Sequence, residues 1–483
     1  AFEMEEGAVI QNLQGRAVYV DGGSAAIGGT IRNITGNSNL WQSTTKDGTQ
    51  GIAVHVRNAE ASATLAATAV IATIRGGGSA VYVTGSENRL TAEPQSVIQN
   101  LTKIQGIYLG FGAKAQLSGE ITGVVGSNAL SINDGAQAVL EAEGSIHDNV
   151  CETAVVYLRA GAGFTIRGKI NDNASTAAEN TLNKNCAAVF IVKNGDSSQA
   201  TLEAGGEICN NINRGSKYGA AVEVQQGDCS FTMNGGRIAG NQGPLGAIHV
   251  HKGSARFVMN GGVVTENRAA NPAGEAGILV ESGTPVVELN AGTAQSMTLA
   301  KKVVTQTDKG NIYISDDFAW ESGYVAMEQD NKTVAPGPNS RSIRLGNANA
   351  AWITALEAAT AEKGWVPLAT FWTQRNGGAA LTVGGLSWTQ GLPVYVLTLP
   401  VDEAGNVVRG ATVWIHAAQI EGDNILCKLP DVSGNGRAVA IVQPTEDYGT
   451  LTIDGTKAHT ENDTGDDYLV TYTVSFEMSE SLK

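Results

Sequence analysis

An all-β chain is predicted: a right-handed parallel β-helix of about ten stacked coils, followed by a smaller C-terminal β-sandwich-like domain. Three observations carry this. A small–Val/Ile–x–Val/Leu segment recurs along the first two thirds of the chain, its starts about 23–36 residues apart, the range in which repeats mean solenoids. Each recurrence is followed by a Gly-containing turn, a second short alternating strand and an Ile-x-x-Asn ending. The composition fits many tight turns: 60 Gly but 11 Pro in 483 residues, 42% hydrophobic and only 16% charged, with no Gly-X-Y period.

The first strands align as Ala17-Val18-Tyr19-Val20, Ala53-Val54-His55-Val56, Ala80-Val81-Tyr82-Val83, Gly106-Ile107-Tyr108-Leu109 and Ala129-Leu130-Ser131-Ile132. They continue as Val155-Val156-Tyr157-Leu158, Ala188-Val189-Phe190-Ile191, Ala221-Val222-Glu223-Val224, Ala247-Ile248-His249-Val250 and Gly277-Ile278-Leu279-Val280. Period-two alternation marks strands buried on one face. A strand this short cannot bury that face alone. Stacking coils ~4.8 Å apart joins the faces into one apolar column. Val18, Val54, Val81, Ile107, Leu130, Val156, Val189, Val222, Ile248 and Ile278 are therefore expected in a single inward column. The Ile-x-x-Asn endings place Asn149, Asn173, Asn211, Asn241 and Asn267 at equivalent turns, where Asn tolerates left-handed backbone and its amide can bond the next coil.

The second strands include Phe231-Thr232-Met233-Asn234-Gly235-Gly236, leading to Asn241, and Phe257-Val258-Met259-Asn260-Gly261-Gly262, leading to Asn267. This phrasing resembles the right-handed β-helix repeats of secreted and wall-attached surface proteins of gut-type Gram-positive bacteria, within the pectate-lyase-like solenoid superfamily. The resemblance covers residues 1 to about 345 and is specific for fold rather than function. It implies an extracellular or cell-surface setting. The chain opens inside the pattern, with Phe2-Glu3-Met4-Glu5-Glu6-Gly7 like another second strand, so the natural protein is expected to extend further.

Repeats fade after Met297. Lys309–Ile314 and Arg341–Leu345 read as last, atypical coils, and residues 348–363 as a short helix covering the final open edge, with Trp352, Ile353, Leu356 and Ala359 on one face. Five of the seven Trp follow residue 345, so the domains are expected to be 1–345 and 346–483.

Composition also bounds function. A net charge of −15 disfavours a nucleic-acid partner, and no apolar run is long enough for a membrane span. Cys151, Cys186, Cys209, Cys229 and Cys427 show no zinc-ligand spacing; buried thiols are expected, with a Cys151–Cys186 bridge as the alternative. No cofactor or metal is expected.

Familiar catalytic phrases of β-helix hydrolases are missing. Of the NTD, DD, GHG and RIK segments shared by polygalacturonase-type enzymes, only Asp316-Asp317 occurs, and none of His55, His147, His249, His251, His416 and His459 sits in a GHG. One carboxylate pair suits the enzyme alternative: Asp148 and Asp172 precede ladder asparagines of adjacent coils, about the 5–5.5 Å spacing of a retaining glycosidase. Lacto-N-biosidase-type β-helix enzymes are the analogy, and a lyase is the variant of it. The other reading is two turn aspartates.

The leading reading is a binding surface. With Val18 and Val20 inward, Tyr19 points out, and so do His55, Tyr82, Tyr108, Tyr157 and Phe190, in a chain only 6% aromatic. Arg57 and Arg159, with Asp21, Gln225, His251 and Glu281, stand beside them as hydrogen-bonding residues. Rings two coils apart would lie ~10 Å apart, near a disaccharide repeat. Such a stripe suits sugars or a host surface protein, and the structural alternative is simple stacking of strand-favouring residues. An adhesin-like protein is therefore expected, with a carbohydrate-active enzyme or a trimeric phage tailspike as rivals. His249 and His251 share an outward face flanked by Glu223 and Glu281 in adjacent coils; a metal would need a third ligand beside the two His, and the default reading is solvated strand residues.

Overall fold

The computed structural model describes residues 1–36, 51–175 except 77, 188–269 except 216, 277–303 except 296, and shorter segments between 312 and 478. No helix occurs among the described residues. The expected helix at 348–363 lies outside them. Two compact units form, Ala1–Val304 with Asn311–Glu321, and Thr305–Gly310 with Ser322–Lys483.

The first unit is a parallel β-helix with three faces per coil. The first face stacks strands such as Ser79–Thr84, Gln105–Gly110, Leu130–Asn133 and Val156–Arg159 in parallel register. The second stacks Arg89–Ala92, Lys114–Leu117, Gln137–Leu140 and their successors, and the third Val97–Thr102, Glu120–Gly126, Ser145–His147 and theirs. In the first coils Arg16–Ile27 and Ile52–Leu65 run through the corner unbroken, so the first two faces share one sheet. That corner takes a register shift after Asp21, and Asn58 and Glu60 sit at φ 67 and 61 to make it.

The core is built from in-register columns, as the alternation requires. Val54, Val81, Ile107, Leu130, Val156, Val189, Val222, Ile248 and Ile278 are fully buried and Val18 nearly so, consecutive members being register partners. Each contributes roughly 1.5–3 kcal/mol of apolar burial. On the second face the inward column includes Phe231 and Phe257, stacked with centroids 5.9 Å apart.

The third face turns through a left-handed residue in coil after coil. It is the residue before each ladder asparagine: Asp148 at φ 53, Asp172 at 55, Asn210 at 55, Gly240 at 66 and Glu266 at 56. The asparagines that follow are not left-handed, which corrects the expectation that they would take that geometry. Their work is the ladder. Asn149, Asn173, Asn211, Asn241 and Asn267 are buried, and each Oδ1 from Asn173 onward accepts from the backbone N–H and Nδ2 of the preceding member at 2.9–3.2 Å. In earlier coils the same position carries Ile34, Ile74, Leu101 and Val124, all buried. One column therefore passes from aliphatic to amide, with Asn149 Oδ1 accepting from the Val124 N–H at 2.9 Å at the junction. Gln295 ends it by accepting from the Asn267 N–H at 3.0 Å.

The second unit is antiparallel and β-rich. Trp365–Thr373, Arg437–Pro444, Tyr395–Pro400 and Trp414–Ala417 form one sheet in that order, and Ala380–Gly384, Asn424–Lys428 and Gln419–Glu421 another. Gly449–His459 and Tyr468–Met478 pair as a long hairpin.

Candidate functional site

Outward side chains of the first face are a direct product of strand alternation, and register stacks them coil over coil. Tyr19, His55, Tyr82 and Tyr108 form an unbroken file. Their ring centroids lie 5.1, 5.0 and 4.7 Å apart; the first two contacts are edge-on and Tyr82–Tyr108 is face to face at 6°. Tyr19 is 44% exposed, Tyr82 and Tyr108 are half-buried, and His55 is only 4% exposed. The stacked faces of Tyr82 and Tyr108 are spent on each other, so these two offer edges and hydroxyls. Buried Ser131 then interrupts the file before Tyr157 and Phe190, whose rings stack 5.7 Å apart. Phe190 is buried and Tyr157 half-buried.

Arginines line the file. The Arg16 guanidinium lies 5.3 Å from the Tyr19 ring centroid. Arg57 acts electrostatically on His55 and Tyr82. Arg159 donates to Asn133 Oδ1 at 2.6 Å and to the Tyr108 hydroxyl. Burial first, then Arg16 and Arg57, push the His55 imidazole down to about 4, so it is neutral at physiological pH. Burial pushes the Tyr108 hydroxyl up to about 12. Among the described residues neither His55 nitrogen has a hydrogen-bond partner, and buried Arg16 Nε has none. The register partner of Arg57, Asp21, accepts from the Asn58 amide instead.

Farther along the same face, structure and expectation part. Glu223 and His249 are fully buried, where solvated residues were expected, and His251 is largely covered. The cause is the turn at Asn213–Gly219. Asn213 Nδ2 donates to the carbonyls of Lys217, Tyr218 and Gly219 at 2.9, 3.2 and 3.2 Å. Tyr218 is held at φ 73, uncommon for a bulky residue, with its ring edge-on to Phe190 at 5.5 Å and 5.7 Å from His251. Beneath the turn, Glu223 Oε2 accepts from the Gly219 N–H at 3.1 Å and pairs with His249 Nδ1 at 2.8 Å. Glu281 Oε2 lies 3.0 Å from His249 Nε2 and 3.5 Å from His251 Nε2, and Glu223 Oε1 lies 3.4 Å from His251 Nδ1.

Burial opposes charge in this cluster, but the partners win. Desolvation lowers the His249 affinity for a proton, yet Glu223 and Glu281 together raise its pKa to about 9. Glu223 is raised by burial and lowered more by His249 and His251, ending below the ordinary carboxylate value. The result is an imidazolium held between two carboxylates, a charge network that fastens the Tyr218 turn to the solenoid. The sequence placed these four residues together; it gave no sign of the cover. No group among the described residues is arranged to hold a metal ion.

No family model, curated protein or solved structure matches this chain.

The remaining sites are on the third face or apart. Asp148 and Asp172 are exposed at their left-handed turns, and Asp148 Oδ2 is engaged by His147 Nδ1 at 2.8 Å. Cys151, Cys209 and Cys229 are buried free thiols, Cys151 pushed up to about 12 by burial. Cys186, the alternative partner of Cys151, lies outside the described residues. No helix among the described residues is long and apolar enough to cross a membrane.

Proposed function

We propose that the solenoid is a binding protein, secreted or displayed at a bacterial surface, that holds a glycan against its first face. The observation that carries this reading is the outward file Tyr19–His55–Tyr82–Tyr108, unbroken over four coils and flanked by arginines on a rigid parallel sheet. A glycan laid along the axis meets one exposed tyrosine face, two half-buried hydroxyl edges and cationic donors at fixed spacing. Preorganised side chains of this kind cost little entropy on binding. The surface setting is supported by the resemblance of the FTMNGG repeats to those of wall-attached and secreted proteins.

The test is a glycan array read with the full chain and with Tyr19→Ala and Tyr82→Ala/Tyr108→Ala variants. Losing the Tyr19 ring face costs ~1 kcal/mol and losing two hydroxyl hydrogen bonds about 1–3 kcal/mol, so both variants should bind roughly fivefold or more weakly while keeping their strand circular dichroism. Unchanged binding by both variants, or binding to host proteins but no glycan, refutes this reading. Release of free sugar from a bound glycan replaces it with the enzyme reading.

A further inference from the structure

The chain carries 47 acidic and 32 basic side chains, so an arginine without a carboxylate beside it is working against the average. At the start of the aromatic file there are two. Among the described residues, neither Arg16 nor Arg57 has a carboxylate within ion-pair distance, although Asp21 is the register partner of Arg57 on the neighbouring strand. Asp21 is taken by Asn58 instead. Arg159, by contrast, is already committed to Asn133 and Tyr108, with Asp134 acting on the Tyr82 and Tyr108 hydroxyls at that end.

Between these two arginines sits a ring without a hydrogen-bond partner among the described residues. His55 is 4% exposed, and among the described residues both its nitrogens lack a partner, as does buried Arg16 Nε. Buried polar groups in folded proteins are nearly always hydrogen-bonded, so three unserved nitrogens in one place point to a missing acceptor. Arg16, His55 and Arg57 offer donors only, apart from one lone pair on neutral imidazole. The group that satisfies them is an anion with several oxygens, and a guanidinium fork favours carboxylate or sulfate geometry. We infer that Arg16 and Arg57, over the unpartnered His55, form an anion seat, and that the glycan of the first face carries a carboxylate or sulfate there. This rests on the glycan-binding reading and narrows its ligand to acidic sugars. The aromatic file beyond the seat takes the uncharged neighbouring residues of the same glycan.

Calorimetric titration of the full chain with oligosaccharides of hyaluronan (carboxylate), chondroitin sulfate (carboxylate and sulfate) and dextran (neutral) tests it. At least one acidic oligosaccharide should bind about tenfold or more tightly than dextran, a gap of about 1.4 kcal/mol, and the gap should shrink with added salt. Arg57→Gln should abolish the gap, Arg57→Lys should keep part of it, and Arg89→Gln, on the exposed second face, should leave it intact. Arg16→Gln should act as Arg57→Gln does; if it fails to fold, Arg57→Gln still decides. Dextran binding as tightly as both acidic sugars overturns the anion seat and leaves the glycan reading standing. Acidic binding that survives Arg57→Gln unchanged also overturns the seat. No binding to any of the three, with none on the array, removes the glycan reading and the seat with it.

Discussion

Truncating Asn211 to alanine tests what holds the third face together. Its Oδ1 accepts from the Asn173 N–H at 3.2 Å and Asn173 Nδ2 at 3.0 Å; its Nδ2 donates to the Ile170 carbonyl at 2.9 Å and Asn241 Oδ1 at 3.0 Å. After truncation Asn241 Oδ1 keeps the Asn211 N–H, and Asn173 Nδ2 keeps the carbonyls of Ile146 and Asn171. The buried Asn173 N–H is left without its side-chain acceptor. One orphaned buried donor costs about 1–3 kcal/mol and each further broken hydrogen bond about 0.5–1.5. Three such bonds are broken besides, so the span is about 2.5–7.5 kcal/mol; the expected destabilisation is about 4 kcal/mol, in its lower half, because the vacated amide leaves room for a water to serve the orphan. Urea unfolding followed by far-ultraviolet circular dichroism reads it. Amide hydrogen exchange should be faster at Asn173 and Asn211 than in coils of the aliphatic part of the column. Asn211→Asp should be worse at neutral pH, since it sets an oxygen against Ile170 O and Asn241 Oδ1, and should recover in part on acidification. A destabilisation below about 1 kcal/mol for Asn211→Ala would refute the ladder as a source of stability.

Two further expectations concern charged residues. His249 is raised above its ordinary 6.5 to about 9, so its stabilising contribution is full below pH 6.5 and lost as pH climbs through about 9. Glu223 is held below its ordinary 4.5, so its contribution is present above that value and lost as pH falls through the lower folded value. Wild-type unfolding free energy should decline across the alkaline window, and Glu223→Gln should be less stable and flatter there; parallel pH profiles would sink the assignment. Asp172→Asn should keep the fold and leave glycan binding unchanged, because Asp172 serves a left-handed turn that Asn fills equally well. Loss of a glycan-cleaving activity in a folded Asp172→Asn protein would contradict that role and favour the glycosidase alternative.

The sequence by itself determined the coil. Val54, Val81 and Ile107 recur at a spacing that only stacking can bury, and their alternation with His55, Tyr82 and Tyr108 settled which side chains face in and which face out. The Ile-x-x-Asn endings likewise announced the ladder, although the backbone twist sits one residue earlier, at Asp148 and Asp172, because the asparagine side chain must turn inward to reach its neighbour. Glu223, Glu281, His249 and His251 were placed side by side by the same register. Tertiary structure alone decided what covers the outward face. The turn that seals Glu223 and His249 is built by Asn213, Tyr218 and Gly219 in a segment outside the repeat, so no periodicity reports where it folds. The same holds for Arg16 and Arg57, which have no ion-pair partner among the described residues: whether Asp21 turns to Arg57 or to Asn58 depends on side-chain rotamers at a bulged corner, and a pattern of residue types carries no information about that choice.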